Sequence, residues 1–348
     1  MHHRVSRQTI SGAEPMTPIR TALVGLSGVG TDYLASILSD DRFDLKAVGD
    51  GNAERLRLHT ESIGVRAYED FRSLIVETAH GGLDLLVIAQ EPFQSVEFAD
   101  MAAAHGIPVL HKTPWARHVD EGRRLIHGFE VHGQPLIVSR WWRHEPAYAG
   151  LRDLAKWTGH VFAATASVSD ANTADGWRGD SVKAGGGVLL NAAYDIVDML
   201  VSVMGMPERV FARCHMRIEP GSPRPYDTED FAVVTLQFQQ ERTASICATR
   251  AVEVTQWHLS LHGTNATVEV SPECFIVAPI DGGEPTTHRV WTRYPVVHAL
   301  GAIAETLRDD KKPNDSAARN QLNPLAVIQA AYLSAKTGEP ESPLLMLE

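Results

Sequence analysis

Only three cysteines, Cys214, Cys247 and Cys274, occur in 348 residues. They are odd in number and widely spaced, and they form no Cys-x-x-Cys pair. This excludes a disulfide scaffold or a cysteine-built metal centre, and buried free thiols in a reducing compartment are expected. Excess positive charge is missing too. The formal net charge is −11, which argues against a protein that neutralises phosphate backbones. Long apolar runs are also lacking. The longest, from Gly187 to Met204, is interrupted by Asn191, Asp195 and Asp198 and cannot serve as a lipid-spanning helix. Residues 1–16 hold no continuous apolar stretch and so do not read as a signal peptide. Residues 1–17 are expected to be a disordered leader, with Met16 as an alternative start. Without a secretory signal, Asn265-Ala266-Thr267 is a chance match to a glycosylation acceptor. The histidines between His105 and His144 stand at no spacing that builds a metal site, so no metal is expected. These absences describe a cytoplasmic protein with a small-molecule partner, and no nucleic acid or membrane.

What is present is a globular balance, 44% hydrophobic and 22% charged, in a chain long enough for two domains. From Ile19 to about Val138, the compact apolar runs Thr21–Leu26, Leu45–Gly49, Leu83–Ala89, Val109–Leu110 and Leu136–Val138 alternate with helix-period segments such as Phe71–Thr78 and Val96–His105. Strand–helix–strand repetition of this kind gives parallel strands buried on both faces. After Trp141 the pattern changes. A helix-like segment (Tyr148–Trp157) leads to a strand at Val161–Ser169, then to a loop and a long helix from about Val188 to Met204. Strands follow at Val210–Ile218, Phe231–Gln239, Thr243–Thr249 and Trp257–Val270, the last turning back at His262-Gly263-Thr264-Asn265. Helices return at Val297–Leu307 and Pro324–Lys336. The fold class is therefore α/β. An N-terminal doubly wound parallel sheet of the Rossmann type (18–140) precedes a C-terminal α+β domain (141–348) with a large, mostly antiparallel open sheet, and the C-terminal helix packs back on the first domain.

Gly25-Leu26-Ser27-Gly28-Val29-Gly30 follows a strand and opens a helix, the context a dinucleotide fingerprint needs. Gly25 permits the tight turn and Gly30 lets the helix pack on the strand, while Ser27, small enough for close approach, replaces the second glycine. A pyrophosphate then sits on free N–H groups at the helix N-terminus. Asp50 stands 20 residues after Gly30, at the end of the next strand, where an acid accepts hydrogen bonds from the adenosine ribose and repels a 2′-phosphate. NAD is favoured over NADP, with Arg55 and Arg57 close by as the opposing signal. The cofactor-binding set is Gly25, Ser27, Gly28, Val29, Gly30, Asp50, Gln90 and Lys112.

Further landmarks accumulate in order: Val109-Leu110-His111-Lys112-Thr113-Pro114, Arg143-His144-Glu145-Pro146, Trp177-Arg178, Gly185-Gly186-Gly187, Glu229-Asp230-Phe231-Ala232, and Asn323-Pro324-Leu325 through Ala335. In this sequence and spacing they resemble the Gfo/Idh/MocA oxidoreductases over nearly the whole chain from Ile19. That resemblance implies hydride transfer between a nicotinamide and a carbinol of a sugar, inositol or sugar derivative. It also implies a homodimer or homotetramer formed through the C-terminal sheet. The family's Glu-Lys-Pro motif reads His111-Lys112-Thr113-Pro114 here, and its Asp-x-x-x-His reads Asn191-Ala192-Ala193-Tyr194-Asp195.

Asn191, Asp195, Asp198 and Ser202 fall at i, i+4, i+7 and i+11, on one helix face. Lys112 is the first choice for the hydrogen bond to the reacting oxygen, because desolvation lowers a lysine pKa. Asp195, if burial raises its pKa, or Tyr194, beside the Lys112 ammonium, would carry the proton. Asn191 can hold a hydroxyl but not take a proton. Arg143, Trp177, Arg178 and Asn191 are the expected substrate-binding residues, with Trp141, Trp142 and Trp177 as a stacking wall for a sugar ring. The alternatives to a dehydrogenase are a catalytically altered NAD-binding relative acting as a metabolite sensor, and an enzyme that uses NAD transiently for elimination.

Overall fold

The computed structural model describes residues 17–145, 148, 151, 154–217, 226–250, 252–289, 296–308 and 316–348. The expected leader (apart from Thr17), Pro146 of the Arg143 landmark, residues 149, 150, 152 and 153 of the helix expected over Tyr148–Trp157, and Ile218 lie outside them.

The first half alternates strand and helix as its apolar runs require: β1 (Ile19–Val24), α1 (Val29–Leu38), β2 (Phe43–Gly49), α2 (Ala53–Thr60), β3 (Arg66–Tyr68), α3 (Phe71–His80), β4 (Leu85–Ile88), α4 (Pro92–Ala104), β5 (Val109–His111), α5 (Val119–Val131) and β6 (Leu136–Val138). All six strands are parallel, in the order β3-β2-β1-β4-β5-β6. The order reverses direction at β1/β4, so the crevice beyond the carboxyl ends of these two strands is where such a sheet takes a ligand. Every residue of β4 is buried, as a strand covered on both faces must be.

The second half runs through α6 (Trp141–His144), α7 (Leu154–Thr158), β7 (Val161–Asp170), α8 (Ser181–Ala184), α9 (Val188–Asn191), α10 (Tyr194–Met204), β8 (Arg209–His215), β9 (Phe231–Gln237), β10 (Thr243–Arg250), β11 (Gln256–Gly263), β12 (Ala266–Val270), β13 (Cys274–Pro279), β14 (Thr286–Arg289), α11 (Val296–Arg308), α12 (Ser316–Asn320) and α13 (Leu322–Thr337). Its eight strands form one sheet, β14-β13-β12-β11-β7-β10-β9-β8, antiparallel except for the β7–β10 pair. Strands β9 and β10 alternate buried and exposed residues, the pattern of a sheet with one packed and one open face. Helices α9, α10 and α13 supply the packed side through Leu189, Leu190, Val197, Leu200, Leu325 and Ile328. Cys247 lies exposed on β10 and Cys214 and Cys274 are only half-buried, which corrects the expectation of buried thiols.

One correction concerns a helix. The helix expected over Val188–Met204 is broken at Ala192-Ala193, and the segments on either side of the break are bent by 54°. Among the described residues, no single helix is long and apolar enough to cross a membrane. Helix α13 meets the first half at α5, where Val119 N donates to Gln329 Oε1 at 3.1 Å, and α11 also returns to it: Val296, Leu300, Ile303 and Ala304 complete the apolar cluster around Tyr33, Leu23 and Val87.

The start of α9 is held from a distance. Its N-terminal N–H groups have no intrahelical partner, and Gly187 N and Leu189 N donate to the buried Glu229 carboxylate at 2.6 and 3.0 Å. Tyr332 Oη donates to the same carboxylate at 2.8 Å. A Cβ on Gly187 would lie 2.0 Å from the Glu229 carbonyl oxygen, so only glycine allows this approach. Glu229→Ala leaves two buried N–H groups and the Tyr332 O–H without an acceptor. We expect a loss of about 2–4 kcal/mol in urea unfolding, with Tyr332→Phe losing less.

Candidate active site

The crevice at the β1/β4 reversal is a cleft of about 750 Å³. One wall comes from the Rossmann sheet, through Ser27, Gly28, Asp50, Gln90 and Lys112, and the opposite wall from the second half, through Asp170, Asn172, Trp177, Arg178 and Asn191.

Glycine is required where the chain turns from β1 into α1. Gly25 has φ +94°, and a Cβ there would lie 2.9 Å from the Ala89 carbonyl carbon and oxygen. A Cβ on Gly30 would lie 2.1 Å from the Gly25 carbonyl oxygen, so the helix cannot pack on the turn with any larger residue. Gly28 has φ +53°, and a Cβ there would meet nothing within 4 Å. Helix α1 carries no side-chain cap; Gly30 N and Thr31 N bond back to the Ser27 and Gly28 carbonyls, which leaves the Val29 N–H and the positive end of the dipole to face an anion at the cleft. A backbone stripped to glycine at the turn, an uncapped helix end and an acid at the tip of β2 fit a dinucleotide. Ser27, Gly28 and Val29 would hold the pyrophosphate, with Gln90 alongside. Gly25 and Gly30 shape the turn without lining the cleft.

Asp50 is buried. Burial pushes its carboxyl up, but Arg55 and the N–H groups of Asn52 and Leu26 outweigh that and hold it below its ordinary value. Arg55 grips it with two hydrogen bonds of 3.0 Å. Arg57 pairs instead with Glu61 on the exposed side of α2.

At the other end of the cleft, Lys112 follows β5. Burial lowers its ammonium from the ordinary lysine value and Arg178 adds to that effect, against Glu91 and Asp195. Thr113, also on the cleft wall, donates from Oγ1 to Asp195 Oδ1 at 2.9 Å. Trp141 Nε1 donates to the other oxygen, Asp195 Oδ2, at 2.8 Å. Burial pushes the Asp195 carboxyl up to about 6, against these two donors. Asp195 therefore stands behind Thr113, one hydrogen bond away from the cleft. Asn191 lines the cleft, but its Nδ2 donates to the carbonyls of Gly186 and Gly187, which leaves Oδ1 as the group it can offer.

The α10 face runs as expected from Asp195 through Asp198 to Ser202, but its lower part is structural. Asp198 accepts from Arg140, Trp142 and Gln321, and Ser202 accepts from Arg140 and Arg143.

Four expected site residues lie elsewhere. Tyr194 is buried and points away from Lys112. Its hydroxyl accepts from Trp115 Nε1 at 3.1 Å and donates to Gln321, and burial raises its pKa well above the ordinary value, so it cannot serve as the proton donor. It lies one residue from Asp195, about 100° around the helix. Arg143 donates to Ser202 and stacks 4.8 Å from the centre of Trp142, outside the cleft wall. Trp141 and Trp142 are packing residues whose indole N–H groups are spent on Asp195 and Asp198. Trp177 does line the cleft, with Phe93 at 6.0 Å on one side and the Arg178 guanidinium 4.7 Å from its ring centre. The sequence reading passed over Thr113, Asn52, Glu91 and Asn172. Thr113 was legible only as a departure from the family motif, and nothing in its spacing to Asp195 announces their contact.

A family model described as an oxidoreductase family with an NAD-binding Rossmann fold matches residues 19–140, and the GFO/IDH/MocA C-terminal domain model matches residues 155–269. D-apiose dehydrogenase of Paraburkholderia graminis is 24% identical over 342 residues, which span 91% of this chain and 88% of that protein. Among solved structures, levoglucosan dehydrogenase in complex with NADH and L-sorbose superposes with a TM-score of 0.81 at 18% identity, covering 94% of this chain and 99% of that one. The WlbA dehydrogenase of Bordetella pertussis, in complex with NADH and UDP-GlcNAcA, gives 0.76 at 22% identity, with 94% and 99% covered. At these identities the structural likeness speaks for the fold, while the two domain models between them take in more than half the chain. This chain therefore belongs to the Gfo/Idh/MocA family of NAD-binding oxidoreductases.

Proposed function

We propose that the protein is an NAD-dependent dehydrogenase that oxidises a secondary hydroxyl of a sugar, inositol or sugar derivative, with Lys112 orienting the reacting oxygen and a Thr113–Asp195 pair taking the proton. The observation that carries this reading is the contact of Thr113 with Asp195 beside Lys112 at one end of the nucleotide cleft. Bound NAD supplies the acceptor for the hydride. The remaining work falls to the chain. Lys112 donates to the alcohol oxygen and favours its alkoxide character, Asn191 Oδ1 accepts from a neighbouring hydroxyl, and Trp177 offers a ring face to the substrate. As the alcohol gives its proton to Thr113 Oγ1, Thr113 passes its own to Asp195. Charge is conserved along the path, and Asp195 leaves as the neutral acid.

Two carboxylates stand on the α10 face, and their surroundings separate their roles. Asp198 is saturated: each oxygen accepts two hydrogen bonds, and a guanidinium is among the donors. Asp195 accepts one hydrogen bond per oxygen, from neutral donors only, so burial prevails and its proton affinity rises toward neutrality. This path replaces the family's Asp and His pair and removes the reason for reading the chain as a sensor.

The related D-apiose dehydrogenase and the sugar-bound levoglucosan dehydrogenase favour a small carbohydrate. We infer in addition that the open face of the second sheet pairs two copies of the chain and that the protein works in the cytoplasm. The domain division at residue 140/141 belongs to the same reading.

Three outcomes are expected once a substrate is found by following NADH absorbance over a panel of sugars, inositols and sugar acids. Lys112→Ala lowers kcat about 10²–10⁴-fold while the NAD dissociation constant changes little, and an intact kcat would exclude Lys112 from the chemistry. In the oxidation direction, kcat/KM rises with pH and levels off above about 6, since Asp195 must be ionised to accept a proton. Asp195→Asn removes that limb together with most of the turnover. The linkage sign also follows. A carboxyl whose folded-state pKa is raised contributes stability at low pH that is lost as pH rises through about 6. The Tm advantage of Asp195→Asn over the wild type is therefore larger at pH 8 than at pH 4, by calorimetry.

A further inference from the structure

The adenosine end of the cleft holds a conflict. Each oxygen of a carboxylate has room for two hydrogen bonds, and all four places on Asp50 are taken. Oδ2 accepts from Leu26 N at 2.8 Å and Arg55 Nε at 3.0 Å, and Oδ1 accepts from Asn52 N at 2.8 Å and Arg55 Nη2 at 3.0 Å. The two backbone donors belong to the glycine turn and to the entry of α2, so they cannot leave while those turns stand. Arg55 can leave. Its side chain is 39% exposed against 2% for Asp50, and it stands in the first turn of α2, whose start is capped by Asn52. A ribose diol that approaches Asp50 therefore has one group to displace, the guanidinium.

We propose that Arg55 is the cofactor-selecting residue of this protein, an internal competitor for the acid that reads the ribose, and that it lets the site take NADP as well as NAD. This rests on the cleft being a dinucleotide site, the reading given above. With NAD, the diol must displace Arg55 from Asp50, and the lost ion pair weakens binding. With NADP, Arg55 stays in place. Two of its five N–H donors serve Asp50 and three remain for the 2′-phosphate, so the charge of Asp50 is masked from that phosphate. Asp50 read alone signals NAD. Read with its partner, it signals a site of mixed preference that one substitution can sharpen.

The test is calorimetric titration of the full-length protein with NAD and with NADP, for the wild type, Arg55→Ala and Arg55→Gln, with thermal unfolding to establish that each variant is folded. The wild type is expected to bind both dinucleotides with affinities within about tenfold of each other. Arg55→Ala should bind NAD about three- to tenfold more tightly, the strength of a half-exposed ion pair. It should bind NADP at least about tenfold more weakly, having lost a charged phosphate partner. Arg55→Gln should follow in the same directions. If Arg55→Ala weakens NAD and NADP alike, the guanidinium only packs on the nucleotide and the proposal fails. It also fails if the variant leaves both affinities unchanged, or if the wild type binds NAD and excludes NADP. A folded wild type that binds neither dinucleotide removes the functional reading itself, an outcome distinct from these.

Discussion

The site depends on two carboxylates one turn apart on α10. Asp198, buried, ties α6 and the segment before α13 to α10 through Arg140, Trp142 and Gln321. Asp195 does the same for Trp141 and for Thr113 at the end of β5. A buried ion pair such as Arg140–Asp198 adds little net stability over an apolar contact, but breaking one side of it costs several kcal/mol, so it fixes geometry more than it strengthens the fold. Here it sets how the second half of the chain meets the carboxyl edge of the Rossmann sheet, and so where Lys112 and Asn191 lie across the cleft.

The same contacts set the chemistry. Asp198 has all four of its acceptor places filled, by Arg140, Trp142 and Gln321. Leaving Asp195 with two neutral donors lets burial raise its affinity into the range where a base works at neutral pH. Lys112 is moved the opposite way by the same burial. Two groups of opposite charge type, each shifted toward neutrality at one end of a nucleotide cleft, are what the proposed acid–base role requires. At the far end the balance is reversed: Arg55 and two backbone N–H groups outweigh burial and hold Asp50 below its ordinary value.

Much of the fold was legible because its signals are local. The buried runs of β1, β2 and β4, the glycine turn at Gly25–Gly30 and the hairpin at Thr264-Asn265 each depend on a few consecutive residues, and each was found where the sequence placed it. Short or irregular elements were not. Strand β3 carries three residues with none buried, and the break at Ala192-Ala193 falls between two good helix formers, so no local signal announces it. The site was legible as far as types and faces: Asp50, Lys112, Asn191 and Asp195 come to the walls of one cleft or directly behind them. It failed wherever partners lie far apart in sequence. Tyr194 looks away because Gln321, 127 residues on, takes its hydroxyl, and Arg143 is drawn off by Ser202. Thr113 gains its role from Asp195, 82 residues away.

The most direct test of this account is a carboxyl-carbon NMR titration of the protein labelled at aspartate, with Asp195 assigned by the Asp195→Asn spectrum. The account predicts that one resonance, that of Asp195, titrates with a midpoint near 6 and moves with Thr113→Val. An Asp195 resonance that titrates in the ordinary aspartate range, near 4, would contradict it and leave Lys112 without a proton-accepting partner.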